Sequence, residues 1–370
     1  MQLRLGLLIL LLSVACCGCN QSASTAPPPK QSGPPADSPK ASQSDTQPPT
    51  TEVPPPETPP SPKPKVEPPP QKGNAGDVRG LLARLASKED GKWQIDAEAQ
   101  EQLGKLGPKA VDQLLPLLSD ESAEVRRGAA YHLLPLAASR DDLAATYARL
   151  LDDPDATVRG IALSAMGQLK PAQRAAAADS IAKVLARTSD DEQQRANAAR
   201  LLGDLRQEAA AMLPQLSSTA AGDPSPKVRS SALLAISRIA EPDTAVETFV
   251  KSLEDQDEGV RLMAVQRLRE LGPQAAPAVQ DLAKLLDHEN GRIRRTAGEA
   301  LVRVGSKSVP SLTAALASDS RDAREIAVLA LGSMGPLAKP ALPELKKLLT
   351  DSDPKVQQLA KTAVLQLELP

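Results

Sequence analysis

Aromatic residues are almost absent from this sequence. Its 370 residues include one Trp, two Tyr and one Phe, and acidic and basic residues are interspersed, with a formal net charge of −2. Proteins that bind nucleic acid neutralise phosphates with clustered Lys and Arg, and those that bind single strands also stack bases on aromatic side chains. The composition therefore predicts no nucleic-acid partner.

Cysteine and histidine are also scarce. Cys16, Cys17 and Cys19 are the only cysteines, so the chain beyond them has no disulfide and no cysteine-ligated metal site. The only histidines, His132 and His288, lack the short spacing of paired metal ligands. No glycine-rich phosphate loop, nucleophile elbow or HExxH motif is present. We therefore expect no metal, no cofactor and no catalytic residue, and interpret the protein as a non-enzyme.

Residues 1–19 have the pattern of an export signal. Arg4 precedes an uncharged apolar run, residues 5–12, which is too short to span a bilayer as a helix. Cysteines follow this run directly, an arrangement that resembles the lipobox of bacterial lipoproteins, in which the cysteine is acylated and becomes the mature N-terminus. The resemblance implies a lipid on Cys16 or Cys17, with Cys19 as the weaker candidate. It also implies a membrane-anchored location in the bacterial cell envelope, on the periplasmic or extracellular side. The alternative is a plain secretory signal and a secreted protein.

Residues 20–76 are predicted to be a disordered linker. Eighteen of the 35 prolines of the chain lie between Pro27 and Pro70, separated mostly by polar residues. Such a segment buries too little apolar surface to offset the entropy lost on folding. We interpret it as a spacer, and a short PxxP docking motif within it remains the alternative.

Residues 77–370 repeat one pattern. In its clearest copy, Arg261 follows an acidic turn, Ala264 comes three residues later, and Leu268 and Leu271 come seven and ten residues later. Residues at these intervals share one face of an α-helix. The residue three positions after the marker is alanine in nine copies, whose marker residues are Asp96, Arg126, Arg159, Arg195, Arg229, Arg261, Arg294, Arg324 and Gln357.

Residues typical of helix starts and ends recur at fixed distances from the marker. Four residues before the marker, eight copies carry a residue of the type preferred at helix N-caps, namely Ser122, Asp155, Asp191, Ser225, Asp257, Asn290, Ser320 and Asp353. Gly-Pro pairs at 107–108, 272–273 and 335–336 mark helix ends. A second apolar helix follows before the next acidic turn. The sequence therefore predicts an all-α fold, an α-solenoid (superhelix) of about eight to nine two-helix units over residues 77–370. Trp93 and Ile95 are expected to cover its N-terminal end.

The pattern Asp-x-Asp-x-x-Val-Arg-x-x-Ala, best seen from Asp153, Asp223 and Asp255, closely resembles HEAT repeats, especially the short kind first noted in phycobilisome lyases. In HEAT families the repeated Asp and Arg stack in a ladder between adjacent units, and the alternative is a row that binds anions. The resemblance implies a ladder here of Arg126, Arg159, Arg195, Arg229, Arg261, Arg294 and Arg324 with Asp120, Asp153, Asp223, Asp255 and Asp351. Asp190, Asp287 and Asp319 stand one residue away from the repeated Asp position.

These features favour a membrane-tethered, extracytoplasmic scaffold that binds a protein or peptide. In such solenoids the second helices line the concave surface, and here they vary freely outside an apolar stripe. Glu247, Lys251, Gln280 and Lys284 represent this candidate binding face. The alternatives are a lyase-like enzyme or enzyme subunit related to the bilin lyases, and a purely structural envelope spacer.

Overall fold

The structure is a computed structural model that describes residues 78–89, 92–105 and 110–369. The predicted signal peptide, its cysteines and the proline-rich linker lie outside the described residues. The described part confirms the predicted α-solenoid, because pairs of helices follow one another along the chain and pack on their neighbours. No helix in these ranges has the length and apolar character needed to cross a membrane.

Each unit contributes a first helix that packs against the first helices of adjacent units. In the described residues the first helices are Val78–Leu85, Ala123–Leu133, Ala156–Gln168, Glu192–Asp204, Pro226–Ile239, Glu258–Leu271, Gly291–Val304, Arg321–Ser333 and Pro354–Glu368. The second helices are shorter and in places divided: Ala97–Lys105 with Ala110–Leu114, Asp141–Leu150, Pro171–Ala175 with Ala178–Ala186, Leu213–Gly222, Pro242–Ser252, Val279–Lys284, Val309–Ala315 and Leu342–Lys347.

Short 3₁₀ segments connect or extend these helices, at Pro116–Ser119, Leu134–Ser139, Arg206–Met212, Gly272–Ala278, Leu285–Asp287, Ser306–Ser308, Gly335–Ala341 and Leu348–Thr350. Proline explains two of them, because Pro277 and Pro340 lie inside their segments and cannot donate a backbone hydrogen bond. The second helices of these units are therefore short, at Val279–Lys284 and Leu342–Lys347. Gly272 and Gly335 adopt positive φ values of 58° and 57° where the first helix ends.

The predicted N-cap residues stand at the starts of the first helices. Seven of the eight accept a hydrogen bond from a backbone N–H of the first turn, as Asp257 does from Val260 at 3.1 Å. Ser225 is the exception, because its hydroxyl donates to Glu192 of the preceding unit at 2.6 Å. Pro226 follows it at the first helical position, where no N–H is needed.

Small residues let the first helices approach closely. The eight register alanines from Ala129 to Ala360 are fully buried. A Cβ atom added to Gly203 would lie 2.9 Å from the Cα atom of Ala235 in the next unit, and one added to Gly332 would lie 3.2 Å from the Cβ atom of Ala363. The repeated small residues are therefore what sets the spacing between units.

The first unit departs from the predicted register. A two-stranded antiparallel hairpin, Ala86–Glu89 paired with Lys92–Ile95, separates helix Val78–Leu85 from helix Ala97–Lys105. The sequence pattern assigned Asp96 to the marker position inside a first helix, and this assignment is wrong. Asp96 lies before Ala97, accepts from the backbone N–H of Ala99 at 3.0 Å and is paired with Arg84 at 2.7 Å. The side chains of Trp93 and Ile95 lie outside the described set, so their predicted role at the end of the array stays a prediction.

Candidate functional site

A repeated arginine–aspartate link joins each unit to the next. In its clearest form Arg229 donates from Nε and Nη2 to the two carboxylate oxygens of Asp255, at 2.8 and 2.7 Å. Its Nη1 donates to the backbone carbonyl of Asp223 at 2.8 Å, and Asp255 also accepts from the backbone N–H of Asp257 at 2.8 Å. One guanidinium and one carboxylate thereby fix two consecutive turns and the start of a helix.

Six such links are present in the described residues. They join Arg79 to Asp120, Arg126 to Asp153, Arg159 to Asp190, Arg195 to Asp223, Arg229 to Asp255, and Arg324 to Asp351. Asp190 takes part although it stands one residue away from the repeated position. Arg79, which the sequence analysis did not include, supplies the partner of Asp120.

The charges of these links stabilise each other. Hydrogen bonds from Arg324 hold the pKa of Asp351 below its ordinary value, and those from Arg79 do the same for the pKa of Asp120. Hydrogen bonding to Asp255 raises the pKa of Arg229. Both partners are mostly shielded from water, since the side chains of Arg229 and Asp255 are 3% and 8% exposed. In these links the arginine therefore favours the charged form of the carboxylate, and the carboxylate favours the charged form of the arginine.

The ladder implied by the HEAT resemblance is interrupted at Arg261 and Arg294. The position that holds Asp in the complete links is occupied by His288 and Ser318 in the next two units. Arg261 has no ion pair in the described part of the chain, and Arg294 instead pairs with Asp322, at 2.5 Å. Asp287 and Asp319, one residue away, do not substitute as Asp190 does. The ladder predicted from the sequence is therefore wrong at these two arginines, which have no partner at the repeated Asp position.

The four residues chosen to represent the binding face lie on two adjacent second-helix elements. Glu247 and Lys251 are exposed on helix Pro242–Ser252 and pair with each other at 2.8 Å. Gln280 and Lys284 are exposed on helix Val279–Lys284, where Gln280 donates to Ser311 at 3.1 Å and Lys284 pairs with Asp281 at 2.9 Å. Their exposure is compatible with binding, but these internal pairs already satisfy most of their polar groups.

A cleft of about 710 Å³ lies beside this face, and Lys251 is the one member of the four that lines it. Its walls are the ends of helices Leu213–Gly222 and Pro242–Ser252, and the linked pair Arg229 and Asp255 also lines it. We call it the hydroxyl groove, because Ser217, Ser218, Thr248 and Ser252 contribute to its lining.

The hydroxyl groove has a sequence cause that the repeat analysis missed. The wall formed by residues 217–222 reads Ser-Ser-Thr-Ala-Ala-Gly, without leucine or lysine, whereas the equivalent six positions of each later unit, and of each earlier unit from residue 114 on, include at least two leucine or lysine residues. Small side chains leave room between helices Leu213–Gly222 and Pro242–Ser252. A run of small residues at the end of a second helix was therefore the available signal.

Catalytic and metal-binding features were not expected from the sequence. His132 lies in helix Ala123–Leu133, where burial lowers the pKa of its imidazole, and His288 lies in an inter-unit turn. Among the described residues, no three His, Cys, Asp or Glu side chains are arranged to hold a metal ion.

A family described as HEAT repeats matches residues 78–167, 213–285, 246–332 and 279–366, which together cover more than half of the chain. A search of curated protein sequences gives no match.

Solved structures include helical proteins similar to this chain. Escherichia coli YibA is 20% identical, with 75% of this chain and 99% of that chain covered, at a TM-score of 0.41. Kap121p bound to Nup53p is 14% identical, with 78% and 40% covered, at a TM-score of 0.50. Kap121p bound to the extreme C-terminus of the protein phosphatase Cdc14p gives 14% identity, 78% and 41% coverage, and the same TM-score. At these identities the similarity to Kap121p shows the fold alone, and this chain spans about two fifths of that protein's length.

Proposed function

The chain belongs to the HEAT-repeat family, and we propose that it is a scaffold that binds a protein partner through its second helices, with the hydroxyl groove as the central contact. The observation that carries this proposal is the groove itself, a cleft between two second helices whose lining includes the ion pair Arg229–Asp255. Clefts of this volume lie in the range of ligand-binding pockets in proteins.

The lining favours an extended peptide segment as the ligand. Hydroxyl groups can donate to and accept from a peptide backbone, and Lys251 and Glu254 offer one charge of each sign. No aromatic side chain is among the lining residues, so the groove lacks a stacking surface for a base or a flat cofactor. Its small residues Ala221 and Gly222 leave space for side chains of the partner.

The similar fold of Kap121p supports a binding role. That protein is described in complex with Nup53p and with the C-terminus of Cdc14p, so a helical solenoid of this fold can hold segments of other proteins. We extend only the general mode to this chain, namely peptide binding without chemical turnover.

The proposal is tested by filling the groove. Ala221 is exposed on its wall, so Ala221→Trp should block it without disturbing the buried core. Full-length protein is used to capture and cross-link partners, and each partner is then measured against the variant. Binding should fall at least about tenfold, since a bulky side chain would displace the bound segment.

Ala145→Trp is the matched control, because Ala145 is exposed on helix Asp141–Leu150 and does not line the groove. A partner that binds both variants equally would overturn the groove as the binding site. Turnover of a substrate by the purified protein would favour the lyase-like alternative. Failure to find any specific partner by cross-linking would favour the structural spacer.

We further propose that the scaffold is tethered outside the cytoplasm by a lipid on Cys16 or Cys17, with residues 20–76 as the spacer. The support is the sequence of residues 1–19, in which cysteines follow a short apolar run. Replacing Cys16, Cys17 and Cys19 together by Ser should release the protein from the membrane fraction and remove the lipid mass. Unchanged membrane association of this variant would contradict the tether.

A further inference from the structure

Two consecutive inter-unit turns lack the carboxylate that completes the arginine–aspartate link. His288 and Ser318 keep one of its two roles, since His288 Nδ1 accepts from the backbone N–H of Asn290 at 3.0 Å and Ser318 Oγ accepts from that of Ser320 at 3.1 Å. Neither residue offers an anionic group to the arginine of the preceding unit. The turns are therefore preserved while two negative charges are missing.

Arg261 and Arg294, the arginines that precede these turns in the register, lack the aspartate partner of the complete links. Arg261 keeps the backbone contacts of a complete link, with Nη1 donating to the carbonyls of Asp255 and Gln256 at 2.7 and 3.2 Å. Its Nε is buried without a hydrogen-bond partner in the described residues. Arg294 is drawn out to Asp322, and its side chain is 20% exposed, against 3% for Arg229. Loss of the carboxylates thus shifts positive charge toward the surface.

A groove of about 310 Å³ lies where this charge emerges, on the first-helix side of the array. We call it the basic groove. Four cations and two carboxylates line it, namely Arg294, Arg295, Arg321, Lys355, Asp322 and Glu325.

The carboxylates of the basic groove are already occupied. Asp322 pairs with Arg294 and Arg321, at 2.5 and 3.2 Å, and Glu325 pairs with Arg321 and Lys355, at 3.2 and 2.5 Å. No carboxylate of the described residues pairs with Arg295, which is exposed. Arg321 also pairs with Asp353, at 3.0 Å, so the four cations face three carboxylates. One positive charge is left over, and Arg295 is the arginine free to bind an external anion.

We propose that the basic groove binds an acidic peptide segment of a partner protein, with one carboxylate of that segment on Arg295. Arginine presents a planar fork that matches a carboxylate, as the complete links of this same chain demonstrate. Ile326 adds an apolar contact to the lining. A dianionic phosphate fits less well, because Asp322 and Glu325 border the same space and repel a double negative charge more strongly.

This surface is separate from the hydroxyl groove. It is formed by first helices Gly291–Val304, Arg321–Ser333 and Pro354–Glu368, whereas the hydroxyl groove lies between second helices of earlier units. The two sites can therefore be tested independently, and each proposal can fail without the other.

The test is a fluorescence-anisotropy titration of the full-length protein with a labelled hexaglutamate peptide at about 0.15 M salt, where the Debye length is about 8 Å. We expect saturable binding that a hexaglutamine peptide does not show. Arg295→Ala should weaken it about tenfold, the size expected for one charge-assisted contact. Arg303→Ala is the matched control, because Arg303 is exposed on the same helix, does not line the groove and removes the same charge. It should change the affinity less than about twofold, since a distant surface charge is screened by salt.

A second variant tests the origin of the groove. Ser318→Asp supplies the missing ladder carboxylate, which should draw Arg294 inward and weaken peptide binding severalfold while the melting temperature holds or rises. Equal losses for Arg295→Ala and Arg303→Ala, or no binding by the wild type, would overturn the proposal. Competition by millimolar inorganic phosphate, or Arg295-dependent binding to vesicles with anionic headgroups, would assign the groove to a phosphate instead of an acidic peptide.

Discussion

The units marked by Arg229 and Arg261 follow one another and differ at one decisive residue. Both have a fully buried register alanine, Ala232 and Ala264, and both begin at a capped or proline-led first turn. Arg229 meets Asp255 in a bidentate pair, whereas Arg261 faces a turn with His288 at the equivalent position. The helices stack in both cases. Apolar and small residues therefore suffice to stack the units. The charged link is an additional contact that is not required in every unit.

The largest expected effect comes from two separate variants in which Asp255 and His288 are each replaced by Asn. Asp255→Asn keeps an oxygen for the backbone N–H of Asp257 but removes the negative charge, which leaves the guanidinium of Arg229 buried and poorly paired. Breaking a buried pair in this way costs about 3 kcal/mol or more. His288→Asn removes no charge partner and should cost less than about 1 kcal/mol. Denaturant unfolding of both full-length variants, followed by circular dichroism, measures the difference.

Similar losses for the two variants would mean that the complete link at Arg229 and the ladder gap, the missing link at Arg261, contribute equally to the free energy of unfolding. The two units would then differ in geometry alone.

A smaller effect is expected from enlarging the register alanine. Ala264 is fully buried between helices, and overpacking at such a site typically costs about 1–3 kcal/mol. Ala232→Leu, in the unit with the complete link, should cost about the same, because stacking does not depend on the link. Ala314→Leu is the control, since Ala314 is exposed on helix Val309–Ala315. Thermal melting checks all three, and a much milder effect at Ala264 would show that the gap is also a packing defect.

Local signals in the sequence were sufficient for most of the fold. Alanine and leucine at fixed intervals identify the buried face, because each helix of the array meets the same neighbours. N-cap residues such as Asp257 and Asn290 locate helix starts, because their side chains act on the N–H groups of the next two or three residues.

Features that depend on a missing or inserted residue were harder to predict. The hairpin Ala86–Glu89 with Lys92–Ile95 interrupts the first unit, so counting back from Arg126 reached Asp96 and passed over Arg79. The ladder gap depends on whether a carboxylate one residue away can still reach, and Asp190 can while Asp287 does not. The hydroxyl groove depends on the shape left between two helices, which residue spacing along one helix does not describe.

The smallest effect, and the most direct test of the comparison, is repair of the gap. His288→Asp supplies the carboxylate that Arg261 lacks, while Asp can still accept from the backbone N–H of Asn290 as His288 Nδ1 does. The gain should be about 1 kcal/mol, because hydrogen bonds to a charged group are partly offset by the cost of removing that charge from water. His288→Asn is the control, since it offers an oxygen to the turn without a charge.

The repaired link should also have a pH signature of known sign. At the complete link in the last described units, hydrogen bonds from Arg324 lower the pKa of Asp351. If Asp at position 288 is bound in the same way, its folded-state pKa falls below the unfolded value of about 3.9, so the folded protein binds fewer protons than the unfolded one. The stabilisation of His288→Asp over His288→Asn should therefore be complete at pH 7 and decline as the pH falls below about 4 toward the lowered pKa. A stabilisation that stays constant down to pH 2 would show that the new side chain acts through packing or the turn and forms no ion pair with Arg261.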